Sequence, residues 1–280
     1  MLAKKIYEKL EQYFILRRGL SDEWVFTKTN NYLSNNFKER SMGVVYDFSK
    51  EIKKVYTAVF PEEKVLKKII AKKETDLLLF VHHPQVWDIR KKEVFEEIPE
   101  KYLKIFKERR ISVYCLHVPL DNFSKYSTTN TFSKALNIKV ETQFCAYFGG
   151  LCGVLGITNT EKLSEVKKDF EKAVGHKVKL YKYGESKIRN NKVALVAGGG
   201  NDLETLEKIP KGYNLFITGI TKKNEHSKKA HEYLKKNKIN LLGGTHYSTE
   251  KFACIAMVDY FKKQDLPSEF IEGTPVLEDM

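Results

Sequence analysis

Arginine is scarce in this sequence: only seven of its 49 basic residues are arginine and 42 are lysine. Proteins that read bases lean on the planar guanidinium fork, so the formal charge of +13 is poorly equipped for sequence recognition. The lysines lie in mixed runs with glutamate, as in Glu62-Glu63-Lys64 and Glu161-Lys162, which suits solvated helix faces. A general attraction to phosphate remains open, but nucleic acid is not the expected partner. Cysteine is also sparse. Cys115, Cys145, Cys152 and Cys254 form no Cys-x-x-Cys pair, which argues against a thiolate zinc site and a disulfide framework and leaves reduced thiols of a cytoplasmic protein as the expectation. No uninterrupted apolar run reaches membrane-spanning length, and Met1 to Phe14 mixes Lys4, Lys5, Glu8 and Glu11 into an amphipathic helix pattern and not a secretory signal.

What the chain does have is core-building material, with 42% hydrophobic residues, 12% aromatics and 280 residues to arrange them. Short apolar runs such as Leu77-Leu78-Leu79-Phe80-Val81 alternate with lysine-rich amphipathic stretches, the signature of an α/β protein with mostly parallel sheet. Residues 19–43 read as loop. Strands are predicted over Val44–Phe48, Lys54–Phe60, Asp76–Val81 and Ile111–Leu116, with helices over Glu62–Lys73 and Pro99–Arg110. A second block opens near Tyr126 with a helix at Phe132–Leu136 and a glycine-rich stretch, Gly149–Gly156. Helices follow at Glu161–Val174, Asp202–Lys208 and His226–Lys236, and strands at Lys192–Ala197, Tyr213–Thr218 and Asn240–Leu242. A closing helix spans Glu250–Lys263 and the tail is irregular. No internal repeat or low-complexity linker interrupts the pattern.

Three predicted strand ends carry metal-ligating side chains. His82-His83 follow the run ending at Val81. Ligands of open parallel sheets bind beyond the carboxyl ends of strands, and neighbouring side chains of an extended segment diverge, so the two imidazoles can serve different ions. Backbone-bonded histidines that merely cap a strand would carry the same sequence. His117 and Asp121 stand past the next strand, where Asp121 can equally be a turn residue. His246 and Glu250 follow the last strand. If helix begins near His246 they share one face four residues apart, whereas Glu250 alone would be explained as a favourable first-turn residue after a Thr249 or Ser248 cap. Imidazole and carboxylate together suit zinc, iron, manganese or cobalt. His176, His226 and His231 lie among lysines and are expected at the surface. Gly198-Gly199-Gly200 can be read as a phosphate cradle of backbone N–H groups or as a plain tight turn from strand to helix.

The ordered set Gly43 to His83-Pro84, Cys115-Leu116-His117 to Asp121, Gly198-Gly199-Gly200, Phe216-Ile217-Thr218-Gly219 and Gly244-Thr245-His246 to Glu250 resembles the NIF-three-like family of dinuclear metal proteins, some members of which are called type 2 homologues of GTP cyclohydrolase I. The resemblance covers nearly all of the chain after residue 40. It implies two α/β lobes, 1–125 plus 245–280 and 126–244, a metal pair in the cleft between them, and a toroidal homohexamer. It also implies the ligands His82, His83, Asp121, His246 and Glu250 for two divalent cations (zinc, iron or manganese). Glu250 would bridge, with His83 and Asp121 on one ion and His82 and His246 on the other. The chain departs from the family at Ile220, where glutamate is usual, and at Ser41-Met42-Gly43, where Trp-Asp is usual, which puts a shared substrate in question but not the ligands.

Two functions follow from these readings. In one, metal-activated water attacks a small-molecule substrate, a nucleotide such as GTP opened at its imidazole ring, with His117 as acid or base. In the other, the ions hold a non-catalytic hexameric scaffold or regulatory binding protein.

Overall fold

The computed structural model describes residues 1–16 and 19–280. The elements run α1 (Ala3–Leu10), α2 (Asn35–Arg40), β1 (Gly43–Tyr46), β2 (Lys54–Ala58), α3 (Glu63–Ala71), β3 (Leu77–Val81), β4 (Val86–Trp87), β5 (Phe95–Glu96), α4 (Glu100–Glu108), β6 (Ile111–Cys115), α5 (Val118–Asp121), α6 (Thr128–Ala135), β7 (Lys139–Tyr147), β8 (Gly150–Ile157), α7 (Leu163–Val174), β9 (Lys179–Tyr181), β10 (Lys192–Val196), α8 (Leu203–Glu207), β11 (Leu215–Thr218), α9 (Lys228–Lys236), β12 (Asn240–Gly243), α10 (His246–Lys262) and β13 (Ser268–Phe270). Contacts divide them into two units. The first holds Met1–Leu120, Phe148–Gly150 and Cys254–Thr274. The second holds Asp121–Tyr147, Leu151–Ala253 and Pro275–Met280, so residues 245–253, grouped above with the first lobe, pack with the second unit.

The first unit is a five-stranded sheet in the order β1-β6-β3-β2-β13. Only β1 runs antiparallel, with a register break between Val44 and Tyr46, and the other pairings are parallel. β3 has every residue buried, as a strand covered on both faces must, which is why it reads as a continuous apolar run and not as an alternation. Ala58 pairs with Val81 and Val81 with Cys115, so the carboxyl ends of β2, β3 and β6 finish in line. That register aligns whatever follows Val81 with whatever follows Cys115.

Asp76 anchors the entry to β3. It sits at φ +60°, which aspartate tolerates, and its buried carboxylate accepts from Lys53 Nζ (2.7 Å) and from Arg110 Nε (2.5 Å) and Nη2 (3.1 Å). The Arg110 guanidinium holds this carboxyl far below the usual aspartate range, with Lys53 adding to the effect. A depressed folded value gives stability that is complete above the ordinary aspartate pKa of ~3.9 and lost as pH falls through the folded value. Asp76→Asn should therefore lower the melting midpoint by a few degrees at pH 7, and the gap from the parent should close as the pH is taken below ~3, read by calorimetry. A gap that stays constant down to strongly acidic solution would refute this account.

The second unit is a six-stranded sheet, β7-β8-β10-β11-β12-β9. Its centre, β10-β11-β12, is parallel, but β8 joins β10 antiparallel and β9 joins β12 antiparallel. The expectation of mostly parallel sheet thus holds for the first unit and gives way to a mixed sheet here. The reason is β7 and β8, whose glycine-rich second strand read as a domain opening. Those glycines allow close approach: a Cβ on Gly153 would lie 2.5 Å from the Phe144 ring, and one on Gly156 would lie 2.7 Å from the Lys139 carbonyl. Apolar clusters cover both faces of this sheet, one around Phe132, Phe170 and Leu195, the other around Leu206, Phe216 and Leu234.

Three further readings change. The predicted loop 19–43 contains α2, capped by Ser34, whose Oγ accepts the Phe37 N–H at 3.1 Å. The tail contains β13, which extends the first sheet along β2. The closing helix begins at His246, four residues before the predicted start, because Thr245 and Ser248 satisfy each other: each N–H donates to the other's hydroxyl at 3.0 Å. Among the described residues no helix is long and apolar enough to cross a membrane.

Candidate metal centre

His82 and His83 follow β3, where the chain bends. Their successive N–H groups both donate to the neighbouring segment, to the carbonyls of Ala58 (3.2 Å) and Val59 (3.0 Å), so both imidazoles are fixed at the sheet's carboxyl edge, 0% and 1% exposed. The neighbouring strand delivers His117. Ring centroids are 4.3 Å apart for His82–His83, 4.7 Å for His83–His117 and 5.3 Å for His82–His117. Each ring offers a nitrogen, and the three nitrogens lie within 4.8 Å of one another.

The hydrogen bonds decide which nitrogens these are. His82 Nδ1 faces the Leu116 carbonyl at 2.9 Å. A carbonyl only accepts, so Nδ1 carries the proton and Nε2 keeps a lone pair. His117 Nδ1 lies 3.1 and 3.2 Å from the two oxygens of Asp22, a carboxylate 9% exposed that also accepts the Val118 N–H at 3.3 Å. This is the arrangement in which a carboxylate fixes the tautomer and orientation of an imidazole. Phe60 stacks on His83 at 4.7 Å, and the Trp24 ring meets His83 and His117 edge-on at 5.8 and 5.1 Å. An apolar collar of that kind lowers the local dielectric, which strengthens attraction to a cation.

The second unit has an imidazole and a carboxylate side by side. His246 and Glu250 share one face of α10, His246 Nε2 lying 3.0 Å from Glu250 Oε1, with both side chains about 5% exposed. The His246 N–H donates to Asp279 Oδ2 at 2.9 Å, which fixes the first turn. Gly198 closes against this pair. Its φ is +73°, and a Cβ there would lie 2.2 Å from Glu250 Oε1 and 3.2 Å from His246 Nε2. Asp121, at the end of α5, is 9% exposed and accepts from Thr128 Oγ1 at 2.6 Å.

The loop Gly198-Gly199-Gly200 is a turn and not a phosphate cradle. The Gly198 N–H donates to Thr249 Oγ1 (2.9 Å) and the Gly200 N–H to Thr218 Oγ1 (3.1 Å), so two of its three donors are consumed inside the fold. Its glycines serve close approach instead.

Residues 33–275 match the family Duf34/NIF3 (NGG1p interacting factor 3). The chain belongs to that family. A relative from Borreliella burgdorferi, named GTP cyclohydrolase 1 type 2 homolog, is 31% identical over 228 residues, covering 81% of this chain and 86% of its own. A protein of the same name from Pyrococcus horikoshii is 24% identical over 67% of this chain and 71% of its own. Among solved structures, the protein ybgI, of unknown function, superposes with a TM-score of 0.75 at 18% identity, covering 99% of this chain and 100% of that one. Reduced HcgD from Methanocaldococcus jannaschii gives 0.69 at 24% identity over 98% of both. The fold is therefore the two-unit α/β fold of the NIF3-like proteins.

The sequence did not point to Asp22 or Trp24, which lie in a stretch read as featureless loop. It also misplaced His231. Expected at the surface, His231 is 2% exposed on the inner face of α9, with Nδ1 2.8 Å from Tyr183 Oη and Nε2 3.1 Å from the Thr221 carbonyl, and burial holds it below the usual imidazole range. Lysine-rich neighbours mark the outer face of α9. Helical periodicity places Ala230, His231 and Leu234 on the other.

Proposed function

We propose that this chain is a metal-dependent hydrolase that binds two divalent cations through His82, His83, Asp121, His246 and Glu250. The observation that carries this reading is the convergence of ring nitrogens at the end of β3, with the tautomer of His82 set by Leu116 so that its Nε2 faces a cation, and that of His117 set by Asp22 so that its Nε2 keeps a lone pair as a base. Mixed imidazole and carboxylate donors suit zinc, iron or manganese. Such ions, when bound, polarise substrate oxygens and lower the pKa of water toward neutrality.

The chain's own residues supply the rest. Asp22 orients His117 and stabilises the imidazolium formed when His117 takes a proton at Nε2, which is the division of labour expected of a general base and its carboxylate. Phe60 and Trp24 limit water around His83 and His117. The names of the relatives add a substrate class, GTP or a similar nucleotide. The homohexamer implied by the family resemblance belongs to the same proposal and is checked by light scattering.

The deciding experiment measures metal per chain by elemental mass spectrometry on protein purified without chelators or a histidine tag, beside Glu250→Ala. Close to two ions per chain is expected for the parent, and a clear fall for the variant. GTP turnover by the loaded parent should drop about 10²–10⁴-fold in His117→Ala. Absence of metal after reconstitution overturns the whole reading. Two ions without turnover of any nucleotide would instead assign a metal-stabilised scaffold.

A further inference from the structure

Cys145 and Cys152 are scattered by sequence and adjacent in space. Cys145 stands two residues before the end of β7 and Cys152 two residues after the start of β8, and these strands are antiparallel neighbours joined by a tight turn. Equal offsets from the turn place the two across from one another, and the approach of Phe144 to Gly153 beside them agrees. Residues facing each other in an antiparallel pair have Cα atoms roughly 4.5–5.5 Å apart, inside the range of about 4.4–6.8 Å that a disulfide spans. The Cys152 thiol reaches the Cys145 carbonyl at 3.5 Å, and the two thiols also interact with each other.

Two features separate this pair from the other cysteines. Both are only partly buried, whereas Cys115 and Cys254 are fully buried in the first unit. Cys145 also adopts φ +63°, a left-handed residue inside a strand, which is the mark of a bulge that re-aims a side chain. Its Sγ lies 3.4 Å from the Thr205 hydroxyl. Interaction with Cys152 pulls the Cys145 thiol below the usual thiol range, the direction that favours the nucleophilic thiolate.

We infer that Cys145 and Cys152 form a reversible disulfide on exposure to a hydroperoxide. The Cys145 thiolate attacks the peroxide O–O bond, taking one oxygen as a sulfenic acid and releasing the other as hydroxide or alkoxide, which is protonated. The Cys152 sulfur then attacks Cys145 Sγ, forming the S–S bond as the S–O bond breaks and water leaves. Two thiols are oxidised and one peroxide is reduced. Two thiols of an added reductant reverse the step.

The bond would lie close to the loop that closes against Glu250. Thr129 Oγ1 donates to the Cys152 carbonyl (2.6 Å) and accepts the Ala197 N–H (3.0 Å), and Ala197 precedes Gly198, which closes against Glu250.

The test treats the full-length, metal-loaded protein with limiting hydrogen peroxide, then denatures and alkylates it. Untreated chains should take four alkyl groups. Treated chains should take two, lose the mass of two hydrogen atoms, and yield a linked peptide joining Cys145 to Cys152. Dithiothreitol should restore all four sites. Cys145→Ser and Cys152→Ser should each lose the linked peptide. The proposal is overturned if four thiols survive treatment, if oxidation stops at sulfenic or sulfinic acid, or if the linkage joins other cysteines or separate chains. Peptide mapping of the parent chain decides the matter even where a variant folds poorly.

Discussion

Gly198→Ala should lower the melting midpoint by about 4–20 °C and strip metal from the protein, although the substitution adds a single methyl group. The added Cβ would sit 2.2 Å from Glu250 Oε1 and 3.1 Å from its Cδ, so the carboxylate must move. Glu250 is 3% exposed and bonded to His246, and displacing it leaves a buried polar group poorly satisfied, which costs about 1–3 kcal/mol. Holding alanine at φ +73° adds about 1–2 kcal/mol. A loss of roughly 2–5 kcal/mol corresponds to the midpoint shift given, at about 2–4 °C per kcal/mol for a domain of this size class. Gly199→Ala is the control. Its Cβ would meet only Ile220 Cδ1, at 3.6 Å, and no left-handed conformation is required there, so it should be nearly silent. Equal effects of the two substitutions, or full metal retention by Gly198→Ala, would show that Gly198 serves the turn and not the ligand.

Asp22→Asn should lower turnover about 10–100-fold, the range typical for groups that orient a histidine at a metal site, at a modest cost in stability. Asparagine keeps one oxygen, which can accept either the Glu23 N–H (2.9 Å, to Oδ1 in the parent) or the Val118 N–H (3.3 Å, to Oδ2), so one of the two backbone donors loses its partner. It loses the negative charge that faces His117 Nδ1 at 3.1 Å, and its amide can present an N–H to that nitrogen and select the wrong tautomer. Asp22→Ala, which abandons both backbone donors, should be worse in stability and similar in turnover. Nucleotide turnover by the metal-loaded variants measures the effect, and thermal melting separates the two variants. Parent-like turnover in Asp22→Asn would remove the carboxylate from the site's chemistry.

The positions of the candidate ligands were legible because a buried parallel strand is a run of apolar residues, and its end is visible where the run stops. Val81 and Leu116 each close such a run, and His82 and His117 follow directly. His246 and Glu250 were legible as a pair because helical spacing of four puts them on one face, and the Thr245–Ser248 cap that starts the helix there is written in adjacent residues. The glycine-rich loop was ambiguous because a phosphate cradle and a tight turn use the same residues. The deciding fact is where its N–H groups point, toward Thr249 and Thr218. The β7–β8 hairpin stayed hidden because glycine depresses the strand signal that Phe144 and Val154 would otherwise give.

By itself the sequence determined the α/β class, the strand ends and the residue types that gather there, because apolar periodicity and capping are local and act over a few residues. Only the tertiary structure decided which side chain answers which. Asp22 meets His117 across 95 residues, Gly198 meets Glu250 across 52, and Cys145 meets Cys152 through the pairing of two strands. Such meetings depend on register and on close approach of backbones. Those are set by how whole sheets pack, and no local spacing records them.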